Sequence, residues 1–593
     1  MSQSNLAPYD NNVTDPLHSL SPELSQRLKD LLDRALLGFI RPNSMSQFAQ
    51  HAPELANFRE AMAQGNPDDD VEFLRRFREF IPTTDYEPYR SYIAKFFATP
   101  CKKSDVENLL APGLPYCLVV SSATSGKASK AFPVYRPAPH LLRPPPHLSL
   151  RHSEGNTFSL SSLSVGQALK MDLEDGQTSK ILPVCPITAG FLRMEMDWDV
   201  EHDMDRLDLW VPGKADPYAI SLVKDYRSFF ILNALFALSV RRVTTIRFVY
   251  ASVFVNLLQY IEDEWTLLID CIAKGNIPEM DKIDHVREPL EKHFTPNPIR
   301  AAELREIGPP VIQGWAVRVW PDLKNFIGIT GGPAAASVPK VTHILGPSVT
   351  MQAFSYGSSE CYHIAFPYFN GNPNTDFKIT PIHGVTEYLD VRCKEPSERV
   401  LSAWELETGG HYEVVLTTRN GLWRYRLGDV VAIKGFAPDD GLPVINYLHR
   451  RDASLGLACG STCTESQLTN AIVSASERWI GQIIGFTVVA DDRDTPVTYG
   501  YLVEIEGEIG KDAKMATQYI FEELMANNDY HMAFWQGRGR KPTIRLVEKG
   551  TFTEYRSQKC NKTNVSMSQV KVPTVLSDPS FREWILQKVI MEL

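Results

Sequence analysis

The stretch Val414–Asp429, VVLTTRNGLWRYRLGD, restricts what this chain can fold into more than any other. Val414, Val415, Leu416, Thr417 and Thr418 read as a buried strand rich in β-branched residues. Asn420-Gly421 is a pair suited to the two positive-φ positions of a tight hairpin turn. On the return strand Trp423, Tyr425 and Leu427 alternate with Arg424 and Arg426, so one face is apolar and the other cationic. Carried one step further, the alternation puts Asp429 on the apolar face unless Gly428 bends the chain. An inward carboxylate is costly unless it is paired or hydrogen-bonded. Arg424, Arg426, a turn amide or a ligand rich in hydroxyl donors could each satisfy it, and periodicity does not choose among them.

At 593 residues the chain exceeds one typical core, so two or more domains are expected. A net charge of −10 argues against nucleic acid as a partner. The nine cysteines are odd in number and scattered, which suggests no disulfide framework. Cys459 and Cys463 lack a second ligand pair, and reduced thiols of a cytoplasmic protein are expected. The N-terminus has no basic start or apolar core of a signal peptide. Phe229–Val240 and Phe248–Ile261 are apolar but shorter than a membrane span and read as buried helices, so no membrane partner is expected. A monomer is expected.

Val71–Phe97 holds a helix stopping near Pro82 and a second starting near Pro88. Leu118–Val120 is a buried strand running into SSATSGKASK. In that loop Ser121, Ser122, Thr124 and Ser125, with a flexible Gly126, suit an anion nest or an ordinary polar turn. It is not a P-loop, because Ser121 replaces the first glycine and Ala128 the magnesium-binding hydroxyl. The proline-rich Phe132–Pro146 reads as a loop or surface flap. Tyr226–Ile277 reads as mostly helical, and Pro298–Ile307 as a short helix. Beyond Trp320-Pro321 short strands broken by glycine are expected, among them NFIGI and THILG. Thr464-x-x-Gln467 has the form of a capping box. It opens a small α+β unit with strands at Ile483–Ala490, Tyr499–Ile505 and Thr543–Glu548 and one helix over Lys511–Phe534. The charged link Arg450–Asp452 is the expected boundary: a large domain over 1–449, a link at 450–452 and a small domain over 453–593.

Three separated stretches carry chemistry: Tyr356-Gly357-Ser358-Ser359-Glu360 after an apolar strand, Asp429, and Lys571 in SQVKVP. With FREFIPTTDYEPYRSYI, SSATSGKASK, DCIAKGNI, SYGSSECY, TTRNGLWRYRLGD and Gly550–Phe552 ahead of the tail lysine, the chain resembles the acyl acid-amido synthetases of plants. These are adenylate-forming enzymes of the firefly-luciferase-like superfamily. The resemblance implies an α/β (mixed α+β) fold: a large N-terminal adenylate-forming domain with a β-sheet or β-barrel core and helices, and a small mobile C-terminal α+β domain.

The resemblance also implies ATP and Mg2+ as cofactors, with a small carboxylic acid and an amine or amino acid as partners. Tyr356 would stack on adenine, with Gly331 and Gly332 admitting the ring. Ser358 and Ser359, with Ser121, Ser122, Thr124 and Ser125, would serve the phosphates. Glu360 would hold Mg2+, Asp429 and Arg450 would meet the ribose, and Lys571 would offset charge at the phosphate during adenylation. The acid would become acyl-AMP with release of pyrophosphate, and an amine would displace AMP to give an amide. Transfer to a thiol or hydroxyl is the alternative, and a degenerate ligand sensor a third reading. Ala123, Lys127, Trp423, Val570 and Thr574 depart from the family pattern and mark a divergent member.

Overall fold

The structure, a computed structural model, describes residues 15–593 apart from 65, 67, 122–128, 142–155, 161–162, 164, 174–178, 393–398, 452 and 563–566. Its architecture is mixed α/β. A four-stranded sheet takes Asn156–Ser159, Val243–Tyr250, Asn325–Ile329 and Thr350–Gln352 in chain order, every neighbouring pair parallel. Parallel strands need crossovers, and the helices Tyr226–Ser239, Ala251–Asp263 and Val338–Leu345 lie in them. Tyr226–Ser239 is buried on nearly every side, in keeping with its apolar sequence. Trp315 and Trp320 are shut inside the same core.

A second core joins the N-terminal helices to a seven-stranded antiparallel sheet, open in order, with Ala365–Pro367 and Val400–Leu401 at its edges. Its centre is the strand pair His411–Thr418 and Tyr425–Phe436, with Val415 opposite Arg426 and Leu416 opposite Tyr425. The turn between them is wider than the sequence suggests. Positive φ falls at Gly421 (91°) and Arg424 (44°), not at Asn420. Asn420 instead uses its Oδ1 to accept from Tyr135 N at 3.1 Å. A Cβ on Gly421 would lie 2.0 Å from Leu110 O, so the turn is pressed against a neighbouring backbone and tolerates only glycine.

The left-handed Arg424 also breaks the expected alternation, since Trp423 and Arg424 are both buried. Arg424 is spent on structure. It donates to both carboxylate oxygens of Glu387, at 2.9 and 2.7 Å, and to Arg78 O and Ile81 O at 2.8 and 2.9 Å. Arg426 pairs with Glu413. Neither arginine is the partner of Asp429.

Four expectations need correction. Phe132–Val134 belongs to the strand Ala131–Val134 rather than a flap; it is the outermost strand of its sheet, where a proline costs no ladder bond on the free side. Val243–Tyr250 is a strand, so the helix expected from Phe248 begins at Ala251; VTTIRFVY is β-branched and aromatic. THILG lies in the helix Val338–Leu345, because Val341, Ile344 and Leu345 are spaced to bury one helical face. Lys511–Phe534 is broken into Met515–Leu524 and Asn528–Trp535, where Asn527 Oδ1 caps the second helix by accepting from Tyr530 N.

The C-terminal part is a four-stranded sheet, Ile483–Asp491, Thr498–Ile505, Thr543–Val547 and Val589–Glu592 in that order, with the capped helix Glu465–Ala475. The tail runs beside its first strand: Val488 N donates to Thr574 O at 2.7 Å and Leu576 N to Val488 O at 3.0 Å. This part meets the parallel-sheet core through Thr553 on Asn256 and the ion pair Lys340–Glu506, and the helix Ile187–Met196 through Gln569 on Thr188.

Candidate active site

Asp429 lies on Tyr425–Phe436 directly opposite Arg450, the last residue of the strand Pro443–Arg450. Gly428, at φ 82°, does bend the chain, yet Asp429 remains inward and 9% exposed. Its Oδ2 accepts from the Tyr356 hydroxyl at 2.8 Å, and its Oδ1 is 3.9 Å from Arg450 Nε. Burial pushes the Asp429 carboxyl up to about 6, against the pull of Arg450 and the Tyr356 hydrogen bond. Glu360 raises it further, and Lys571 draws it down. Two carboxylates and a tail lysine distant in sequence therefore share one electrostatic neighbourhood.

Glu360 is buried at the tip of the chain reversal whose limbs are joined by Tyr356 and Ala365. Gly357 permits that reversal, since a Cβ there would lie 2.0 Å from Tyr362 O. Ser358 and Ser359 are half-buried beside Glu360, and Ser358 Oγ accepts from Cys361 N at 3.3 Å. The Tyr425 hydroxyl faces Glu360 Oε1 at 3.4 Å and accepts from Lys130 Nζ at 3.1 Å. Ser121 closes the base of its loop, its Oγ accepting from Lys130 N at 2.9 Å. Ser122, Thr124 and Ser125 lie outside the described residues. Gly331 and Gly332 stand where an added Cβ would meet no protein atom within 4 Å, and Gly332 has φ 56°.

Lys571 Nζ sits 5.4 Å from the centre of the Tyr250 ring. It lines a narrow cleft with Tyr250, Ser252, Ala334, Ser337 and Phe486, between the parallel sheet and the C-terminal part. A larger cavity of about 310 Å3, among Asp491, Arg493, Arg545 and Arg582, shares no residue with it.

Sequence reasoning missed Lys130, Tyr250, Tyr425 as a site residue, and Glu465. Burial raises the Glu465 carboxyl, while Lys571 and Arg450 draw it down. Tyr425 was legible only as an apolar-face residue. Glu465 follows the capping Thr464, and nothing local to it indicated that it would face Lys571.

This arrangement lies within a fold shared with adenylate-forming ligases. The solved 2-hydroxyisobutyryl-CoA ligase in its postadenylation state matches with TM-score 0.50 at 11% identity, covering 99% of this chain and 97% of that one. The solved GH3.15 acyl acid amido synthetase matches with TM-score 0.75 at 22% identity, covering 96% of each chain. In sequence, indole-3-acetic acid-amido synthetase GH3.15 of Arabidopsis thaliana is 24% identical over 97% of this chain and 95% of its own length. The probable indole-3-acetic acid-amido synthetase GH3.1 of Oryza sativa subsp. japonica is 26% identical over 87% and 85%. The GH3 family N-terminal domain matches residues 57–350, the GH3 family central domain 377–450 and the GH3 family C-terminal domain 466–580. The chain belongs to the GH3 family.

Proposed function

We propose that this protein activates a small carboxylic acid with ATP and passes the acyl group to an amine, an amino acid in the first instance. A carboxylate oxygen attacks the α-phosphorus, the bond to the β-phosphate breaks, and pyrophosphate leaves. The amine nitrogen then attacks the carbonyl carbon of the acyl-AMP, AMP departs, and loss of a proton leaves an amide. The amido synthetases among its relatives favour an amine acceptor over a thiol or hydroxyl.

The observation that carries this reading is the buried Asp429 carboxylate held by the Tyr356 hydroxyl beside Arg450, with Glu360 and Lys571 near enough to act on its charge. In it, Asp429 and Arg450 take the ribose hydroxyls, a need that suits a buried carboxylate with spare lone pairs. Tyr356 and the open backbone at Gly331 and Gly332 take the adenine. Ser358 and Ser359, with Ser121, Ser122, Thr124 and Ser125, donate to the phosphates. Among the described residues no three His, Cys, Asp or Glu side chains form a metal-ligand set. A single buried Glu360 with one long contact fits Mg2+, which takes one or two carboxylates and fills its shell with phosphate oxygens and water. When bound, that ion would neutralise phosphate charge. Lys571 would neutralise the charge that builds at the α-phosphate. In this reading 1–449 is the large domain, 453–593 the small one, and 450–452 their hinge. In this reading the protein acts in the cytoplasm as a monomer. No helix among the described residues is long and apolar enough to cross a membrane.

The direct test is pyrophosphate release from ATP, Mg2+ and a panel of carboxylic acids, followed by mass analysis with candidate amines. Acid-dependent release and an amide product are expected. ATP binding without release for any acid would point to a sensor instead.

The raised Asp429 carboxyl adds a pH signature. Without nucleotide its folded-state pKa of about 6 exceeds the ordinary 3.8, so the fold gains from its protonation. That stability is full at low pH and is lost as pH rises through about 6. Two ribose donors favour the ionised form, so binding removes the proton. Affinity for adenosine, which carries no titrating phosphate, should therefore fall about tenfold per pH unit below pH 6. Asp429→Asn should abolish that slope in calorimetric titrations. Equal slopes in both proteins would remove Asp429 from the ribose.

A further inference from the structure

Arg247 lies on the central parallel strand Val243–Tyr250, three residues before the tyrosine that faces Lys571. Its guanidinium sits 4.9 Å from the centre of the Phe354 ring, two residues before Tyr356. From Phe354 the rings continue without a break. His363 is 6.5 Å away and Tyr362 4.0 Å from His363; Phe191 stacks on Tyr362 at 4.0 Å, and His383 is 5.3 Å from Phe191. Tyr362 and His363 are on the limb of the reversal that returns from Glu360. The cluster is thus joined in the chain to the proposed nucleotide site, through Phe354 two residues before Tyr356 and Tyr362 two residues after Glu360.

His363 Nδ1 meets Ser355 Oγ at 3.2 Å, but polar atoms of Arg247 and His383 lack partners. Among the described residues Arg247 makes no hydrogen bond or ion pair, and its Nε is closed off from solvent. Arg247 is half-buried. Two buried arginines show what engagement looks like: Arg193 meets Asp203, Tyr218 and Leu163 O, and Arg424 meets Glu387 and two carbonyls. His383 is 2% exposed and both its ring nitrogens are unpartnered. Burial holds it neutral, pushed down to about 3, so it offers one donor and one acceptor. The neighbouring charge is mixed. Lys214 is pushed down to about 8 by burial and by Arg247, with Asp216 opposing. Glu195 acts on Arg247 from a distance without an ion pair.

We propose that Arg247, with Phe354, Tyr362, His363, Phe191 and His383, forms the far end of the acid subsite, and that the acid is a planar one bearing a second anionic group held by Arg247. This inference rests on the adenylation reading. The reacting carboxylate must lie at the α-phosphate, near Lys571 and the serines, so it cannot also serve as the partner of Arg247. An acid with an apolar far end would cover Arg247 and leave a desolvated guanidinium with no acceptor, a heavily penalised state. A second carboxylate supplies the missing acceptor, and the ring faces suit a flat skeleton.

The test compares matched acids in pyrophosphate release without amine: benzoate against isophthalate and terephthalate, and hexanoate against adipate. Wild-type protein is expected to use an aromatic diacid with a kcat/KM on the order of tenfold to a hundredfold above benzoate. Arg247→Gln should erase that advantage, lowering kcat/KM for the diacid and raising it for benzoate while keeping ATP affinity, and Arg247→Lys should restore part of it. Thermal-shift binding of the same acids should follow the same order, so that the readout does not depend on turnover alone. Release with benzoate and no gain from the second group overturns the inference while leaving adenylation intact. An Arg247→Gln defect confined to the amide-forming step also overturns it, because it assigns the arginine to an amino-acid acceptor. No release with any acid overturns the adenylation reading and this inference with it.

Discussion

Replacing Lys571 with alanine should slow acid-dependent pyrophosphate release by roughly 10²–10³-fold while leaving ATP affinity nearly unchanged. The size follows from what the side chain is positioned to do. In the proposed reading its charge matters most when charge builds at the phosphate, while Asp429 and its neighbours hold the ground-state nucleotide. The fold does not depend on the ammonium. The tail is pinned by backbone bonds to Val488, by the Thr487 hydroxyl donating to Pro573 O at 2.8 Å, and by burial of Val572, Val575 and Leu576. Single-turnover pyrophosphate release and calorimetric ATP binding separate the two effects. A wild-type adenylation rate in Lys571→Ala would falsify the role given to this lysine.

The second large effect belongs to Arg424 and concerns stability. Arg424→Leu would leave Glu387, itself 5% exposed, as a buried carboxylate with its bidentate partner gone. It would also orphan the carbonyls of Arg78 and Ile81 at the end of the helix Asp70–Phe80. Losing one partner of such a pair costs roughly 3–5 kcal/mol, whereas replacing both by apolar groups is often close to neutral. In urea unfolding the single variant should therefore be strongly destabilised, and Arg424→Leu with Glu387→Leu should recover most of the loss. A single-variant loss below about 1 kcal/mol, the usual size for a tolerated substitution, would show that the pair is not a structural tie.

These two basic residues show how unevenly function can be read along this chain. Lys571 is weak in its own setting, a tail lysine two residues before a proline, and only the ordered motifs along the chain single it out. Arg424 sits in the most informative stretch, yet its role was not legible, because the strict alternation that assigned it outward failed at one residue. A positive φ at Arg424 turns its side chain inward onto Glu387, some forty residues upstream in sequence. The capping box at Thr464 and the helix Pro298–Ile307 were both readable, since each depends on residues within one turn of itself. The strand Val243–Tyr250 was misread as helix because a short apolar run carries no period of its own, and pairing on both sides decided it.

By itself the sequence determined that Asp429 would face inward and need a partner, that a small α+β unit would follow Arg450, and that Glu360 and Lys571 had the chemistry to join it. Alternation, capping and turn residues act over a few positions and are written locally. Only the tertiary structure decided who the partners are. It passed over both nearby arginines, gave Asp429 the Tyr356 hydroxyl and Arg450, and left the half-buried Arg247 with its Nε unpartnered. Those outcomes depend on which segments the sheets bring side by side, and on a competition for each buried charge that no single stretch of chain contains.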